Sequence, residues 1–479
     1  MLISTTLIIY MLVLLALSRL TARKSSNSTF FTGERRSPWY MVAFGMVGAS
    51  ISGVSVVSVP GMVGSIGMTY LQTCMGFIVG YFVVAFVLLP VYYRLRLTTI
   101  YSYLGLRLGN NPMKTGSAFF LLSKMAGAAV KFYVACIILQ RFLFDYYNIP
   151  FALSVVLMVA VIWLYTRRGG IRTLVWTDSF QTLCILLALL FIGYHLCHEL
   201  NLSAGQALST IAADSRSQVF VFDDLFSRQN FWKQFVSGIF IVVVMTGLDQ
   251  DMMQKNLTCK TLREAQKDMC SYGFAFLPVN FLLLALGILA SNYAAAKGIA
   301  LPTAGDELLP TVVASGGLGP VVEVLFVLGI VAASFSTADS ALTSLTTCFC
   351  VDIAGRPDDE RLRHRTHIAM AAVFTVAVVV FRYANSTSLI DAVYTIVSYT
   401  YGPLLGLFAM ALLTRRSVSG RWAPAVCVAS PFVCYGLNAI TTSLLGYQFG
   451  YELLLLNGLL TFCGLYAFSS PPLPDMNGQ

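Results

Sequence analysis

The chain has 479 residues, of which 57% are hydrophobic and 11% charged, with a mean hydropathy of +0.75 and a formal net charge of +9. Soluble domains carry about one-quarter charged residues, so this composition excludes a water-soluble globular protein and fits a polytopic, all-α membrane protein for which lipid replaces a polar surface. The positive charge would suit a nucleic-acid partner only if it were clustered, and it instead follows the loops.

The first apolar segment, MLISTTLIIYMLVLLALSRL, carries its charges after the apolar run, the reverse of a cleaved signal peptide, and reads as a retained span with the N-terminus outside. Further segments of spanning length follow at about 39–61, 71–93, 116–140, 149–165, 171–197, 231–248, 270–292, 318–350, 367–384, 388–413, 422–443 and 449–467, about thirteen in all. Assigning the loops alternately from an outside start puts most of the 31 basic residues inside. Arg141, Arg216, Arg228, Lys233, Lys297 and Arg382 fall outside, and Lys124 and Lys131 lie within a span. That asymmetry supports the count and places the C-terminus inside. The longest loop, about 198–230, is external; it contains VFVFDDLF and is expected to hold a short surface helix. The short tail after 468 reads as disordered.

Several spans depart from uniform lipid anchors. The second, GMVGASISGVSVVSVPGMVGSIG from Gly45, is crowded with glycine and serine around Pro60. It predicts either a tight small-residue helix contact or a break near Gly48 to Gly53, which would free backbone carbonyls at mid-membrane depth for protein, water or a cation. The fourth span places Lys124 and Lys131 seven residues apart, on one helical face. In the sixth, GGIRTLVWTDSFQ at 169–181 sets Asp178 inside an apolar run. In the ninth, GIVAASFSTADSALTS from Gly329, Ala333, Ser336, Thr337, Ser340 and Ser344 share a stripe, with Asp339 about 60° around from Ser336. A carboxylate in hydrocarbon costs about 2.5–3.5 kcal/mol, so Asp178 and Asp339 need compensation. Two sources are open: ion pairs with Lys124 or Lys131, or a hard cation held by carboxylate, hydroxyl and carbonyl oxygen. The eleven cysteines lie mostly within apolar runs, and the histidines at 195, 198, 364 and 367 show no metal-ligand or nucleophile–base spacing, so neither a metal centre nor an enzyme is expected.

These motifs resemble the sodium:solute symporter family. Gly169, Gly170, Thr177, Asp178 and Gln181 are similar to its fifth core helix, and STFFTGERR at 28–36 to the sequence before its first. SISG and SVPG resemble that first core helix, GLDQDMMQKNLTCKTLREAQKD at 247–268 the cytoplasmic segment after the sixth, and the serine-rich ninth span the eighth. The resemblance implies the leucine-transporter-like fold: an extra N-terminal helix and first cytoplasmic loop (1–38), a first five-helix repeat (39–197), an external loop (198–230), an inverted second repeat (231–413), and two terminal helices with a short tail (414–479).

It further implies Na+ as the coupling ion and symport of a small organic solute, such as a sugar, sialic acid or other carboxylate, by a multi-pass protein of a bacterial inner membrane. Membrane lipid is the surrounding partner and no obligatory protein partner is implied. Carried over by motif, the principal sodium site falls on Gly48 and Ile51, with Ala49 in the Gly48 role on a one-residue shift, together with Ala333, Ser336 and Thr337. A second site in some relatives would fall on Asp178, Ser336, Asp339 and Ser340, although Asp339 stands where relatives commonly have a hydroxyl. Proton coupling through Asp178 or Asp339 is the alternative. Solute contacts are expected at Ser52, Ser55, Gln72, Lys131, Tyr394, Ser398 and Tyr401. An anionic solute follows if Lys131 faces the cavity; pairing of Lys131 with Asp339 leaves a neutral sugar or inositol as an equal candidate.

Overall fold

The computed structural model describes residues 2–21, 26–223, 227–302, 304–384, 389–418, 420–447 and 449–471; the side chains of 384, 389–392 and 394 lie outside that description. The chain is a helical bundle, with a short antiparallel β pairing between Ser417–Val418 and Ser469–Ser470. Its principal helices are α1 (Leu2–Thr21), α2 (Trp39–Ser50), α3 (Gly53–Ile66), α4 (Tyr70–Arg94), α5 (Asn110–Tyr147), α6 (Phe151–Gly169) and α7 (Ile171–Glu199). There follow α8 (Phe231–Gly247), α9 (Gln250–Asn256), α10 (Leu262–Lys297), α11 (Pro320–Ile353), α12 (Glu360–Tyr383), α13 (Leu389–Thr400), α14 (Gly402–Leu413), α15 (Trp422–Leu445) and α16 (Leu453–Ala467).

Every apolar segment marked in the sequence falls on one of these helices or on a helix pair. Among the described residues, nine helices are long and apolar enough to cross a bilayer; α14 and α16 are shorter apolar helices. Two pairs pass the same test only together, because each is sharply bent: α2 with α3 by 59° and α8 with α9 by 69°. The segment at 388–413 is interrupted at Tyr401, just before Pro403, which cannot donate a helical hydrogen bond. In the 198–230 loop the helix is Ala204–Ala213, closed by a reciprocal Ser203–Gln206 cap, whereas 218–222 is non-helical and 224–226 lie outside the described residues.

Of the nine helices of spanning length, the most enclosed is α11, buried continuously from Ile330 to Cys348. It packs against α7, α5 and α2, and α7 in turn packs on α2, so the acidic and hydroxyl-bearing faces of α7 and α11 meet inside protein rather than lipid. Two glycines make this packing close. Gly170 joins α6 to α7 at φ +48°, and a Cβ there would approach Phe30 to 2.6 Å. A Cβ on Gly48 would come within 1.9 Å of the Thr182 hydroxyl and 2.9 Å of its Cα, so α2 and α7 touch nearly backbone to backbone. The glycine pair and the glycine-rich second span thus serve both readings of the sequence: a close contact at Gly48 and a true break three residues on.

Candidate functional site

At the first break, Ile51 has ψ 86° and Ser52 is extended, and the Ser52 hydroxyl caps α3 by accepting from the Ser55 N–H at 3.3 Å. The Ile51 and Ser52 N–H groups turn back to Val47 and Ser50. Among the described residues, no N–H or side chain donates to the carbonyls of Gly48, Ala49 or Ile51, which leaves these acceptors for a ligand or water. Ser50 is hydrogen-bonded to the Tyr272 hydroxyl, and Tyr81 donates to Tyr272 at 2.8 Å.

The hydroxyl face of α11 lies beside this break. A Cβ on Gly53 would meet the Ser334 hydroxyl at 2.3 Å and Ile330 at 3.5 Å, which fixes the orientation of that turn. Ser334 is fully buried and, among the described residues, has no hydrogen-bond partner. Ala333, Ser336 and Thr337 are buried as well. Thr337 donates to the Ala333 carbonyl at 3.1 Å, whereas Ser336 donates to Asp178 Oδ1 at 2.8 Å. Each hydroxyl oxygen keeps lone pairs for a cation, so the set is uncharged oxygen with one carboxylate behind it.

The carboxylates find partners that the sequence pattern did not supply. Asp178 pairs with Lys255 at 2.8 Å, both almost fully buried. Lys255 belongs to α9, which the charge pattern had assigned to a cytoplasmic loop; every residue of α9 is buried instead. Asp339 does not pair with Lys131. It accepts from the Tyr165 hydroxyl at 2.6 Å and from Ser340 at 3.3 Å, and lies in the field of Asp178 and Lys255. Lys124 pairs with neither Asp178 nor Asp339 but bridges Asp251 at 2.6 Å and Asp249 at 3.2 Å. Asp249 also caps α9 through the Asp251 N–H at 2.8 Å and accepts from Tyr401 at 2.7 Å. The α9 segment is therefore pinned by ion pairs of opposite polarity, one to α5 and one to α7.

Between the two breaks lies a cavity lined by Ser50, Ser52, Ser55, Tyr70, Phe77, Tyr81, Lys124, Lys131, Thr246, Asp249, Met252, Tyr272, Phe276 and Asn280. Lys131 is half-buried on its wall and, among the described residues, makes no ion pair. Of the expected solute contacts, Ser52, Ser55 and Lys131 line the cavity, and Tyr401 reaches its edge through Asp249. Gln72 is not there: it donates to the Gln229 carbonyl at 2.9 Å and accepts from the Val221 N–H at 3.2 Å, tethering the 198–230 loop. Ser398 lines a separate cavity with Arg228, Gln229 and Tyr399. The side chain of Tyr394 lies outside the described residues. Sequence reasoning missed Asp249, Lys255, Tyr81, Tyr272 and Asn280; the only signal was the charge alternation of DQDMMQK, which a loop assignment absorbs without residue.

The sodium:solute symporter family model matches residues 30–420. A sodium-coupled monocarboxylate transporter of Danio rerio is 26% identical over 403 residues, covering 81% of this chain and 63% of the relative. The chain thus spans under two-thirds of that relative's length. A sodium/sialic acid symporter of Aliivibrio fischeri is 23% identical over 428 residues, covering 82% and 79%. Among solved structures, a substrate-bound outward-open Na+-coupled sialic acid symporter superposes with a TM-score of 0.83 at 18% identity, covering 98% of this chain and 97% of that one. A nucleobase-cation-symport-1 family transporter in a closed conformation gives 0.57 at 16%.

Proposed function

Because the chain belongs to the sodium:solute symporter family, we propose that it carries sodium and a small organic carboxylate together across a membrane by alternating access. The observation that carries this reading is Lys131, an ammonium without a carboxylate partner among the described residues, on the wall of a cavity enclosed by two broken helices. Burying an unpaired cation is costly, and a carboxylate solute would relieve that cost. The relatives named for monocarboxylate and sialic acid transport both handle carboxylates with sodium, which favours sodium over a proton.

Sodium sits, on this reading, between the freed carbonyls of Gly48 and Ile51 and the oxygens of Ala333, Ser336 and Thr337. Occupancy there joins the α2–α3 break to α11 and completes the wall next to Ser52 and Ser55. Coupling then requires that the outward- and inward-facing states bind the ion with different affinity. We take the protein to have thirteen crossings with the N-terminus outside and the C-terminus inside, and to consist of inverted repeats at 39–197 and 231–413, each containing one of the broken pairs at its first position. A bacterial inner membrane is its proposed location.

Uptake of labelled sialic acid and of short monocarboxylates into proteoliposomes, with an inward sodium gradient and no ATP, tests this reading. Saturable uptake that disappears when potassium replaces sodium is expected; uptake indifferent to that replacement overturns it.

A further inference from the structure

Resting on the sodium-symport reading, we propose that Lys255 is the resident cation of the site around Asp178, excluding a second sodium so that one sodium accompanies each solute. Asp178 has both oxygens engaged: Oδ2 by the Lys255 ammonium and Oδ1 by the Ser336 hydroxyl, each at 2.8 Å. The side chains of the pair are 1% and 2% exposed, so water does not share the interaction. An ammonium offers only donors and no lone pair, so Lys255 cannot join a sodium coordination shell; it can only compete for the carboxylate.

The competition favours the lysine. A sodium ion arrives from solution, whereas the ammonium is held in place by α9, whose first turn is fixed by Asp249 and by the Lys124 pairs with Asp249 and Asp251. Tethering of this kind converts a bimolecular encounter into an intramolecular one. Displacing Lys255 would also leave its ammonium buried without a counter-ion.

Charge balance points the same way. Asp178 and Lys255, 2.8 Å apart, already neutralise each other. A sodium ion added at Asp178 would bring a positive charge with no counter-charge of its own into a low-dielectric surround.

Binding of radiolabelled sodium to the purified full chain, titrated to saturation without solute, tests the assignment. Wild type is expected to bind one sodium per chain with a Hill slope of about 1, and Lys255→Met two, with a slope rising toward about 2. Lys255→Arg should keep one, and Asp178→Asn combined with Lys255→Met should return to one. Two sodium ions on wild type overturn the proposal whether or not the variants fold, as does a well-folded Lys255→Met that still binds one. A wild-type chain that binds no sodium at all instead removes the sodium-symport reading on which the proposal rests.

Discussion

Lys131, which makes no ion pair among the described residues, makes the sharpest demand on the proposed solute. Removing one partner of a buried charge pair costs about 2–5 kcal/mol, so Lys131→Met should weaken carboxylate transport by about 30-fold or more, read as a raised KM, with Lys131→Arg partly restoring it. An equal KM in Lys131→Met would show that the solute carboxylate lies elsewhere. A second residue-scale effect sits outside the membrane, where hydrogen bonds from Arg216 hold the Asp214 carboxyl down at about 2. Arg216 also reaches Asn292 on α10 at 2.6 Å, so the pair ties the 198–230 loop to the bundle. A depressed carboxyl stabilises the fold above its unfolded value of about 3.9 and loses that contribution as pH falls toward 2. The thermal midpoint of purified protein should therefore fall between pH 4 and 2, and Asp214→Asn should be less stable than wild type at pH 7 yet lose less on acidification.

At the scale of elements, the two breaks are held in place by the helices that face them. α2 lies against α7 at Gly48 with no room for a side chain. Gly48→Ala should therefore destabilise the protein by about 1–3 kcal/mol, seen as a lower thermal midpoint, and should raise the sodium concentration needed for half-maximal uptake because the adjacent carbonyl shifts. A variant with the wild-type midpoint and sodium dependence would show that the contact yields freely. Across the bundle, α9 is too short to hold its place by helix propensity and depends on Lys124, Tyr401 and Asp178 at its two ends. Moving such a segment would require its ion pairs to be exchanged.

For the whole molecule, the charge carried per cycle decides which gradient does work. Moving one charge through 100 mV is worth about 2.3 kcal/mol, roughly 40-fold in concentration. One sodium moving with a monocarboxylate anion carries no net charge, so that electrical term vanishes and a tenfold sodium gradient supports about tenfold accumulation. Uptake of a monocarboxylate should thus be unchanged when a potassium diffusion potential is imposed across the proteoliposome. Acceleration by an inside-negative potential would require a second sodium.

Much of this was legible without coordinates. Composition alone required lipid as the solvent, and glycine, proline and serine density located the break within three residues, because local helix stability is a property of neighbouring residues. The hydroxyl stripe of α11 and the need to compensate Asp178 and Asp339 also followed from periodicity and from the cost of charge in hydrocarbon. Which charge compensates which did not. Lys255 rather than Lys131 or Lys124 answers Asp178, Tyr165 answers Asp339, and Gln72 holds a loop instead of a solute. Helical periodicity reports directions around a single axis, whereas an ion pair depends on distance between axes, and only the packing of α5, α7, α9 and α11 sets that distance.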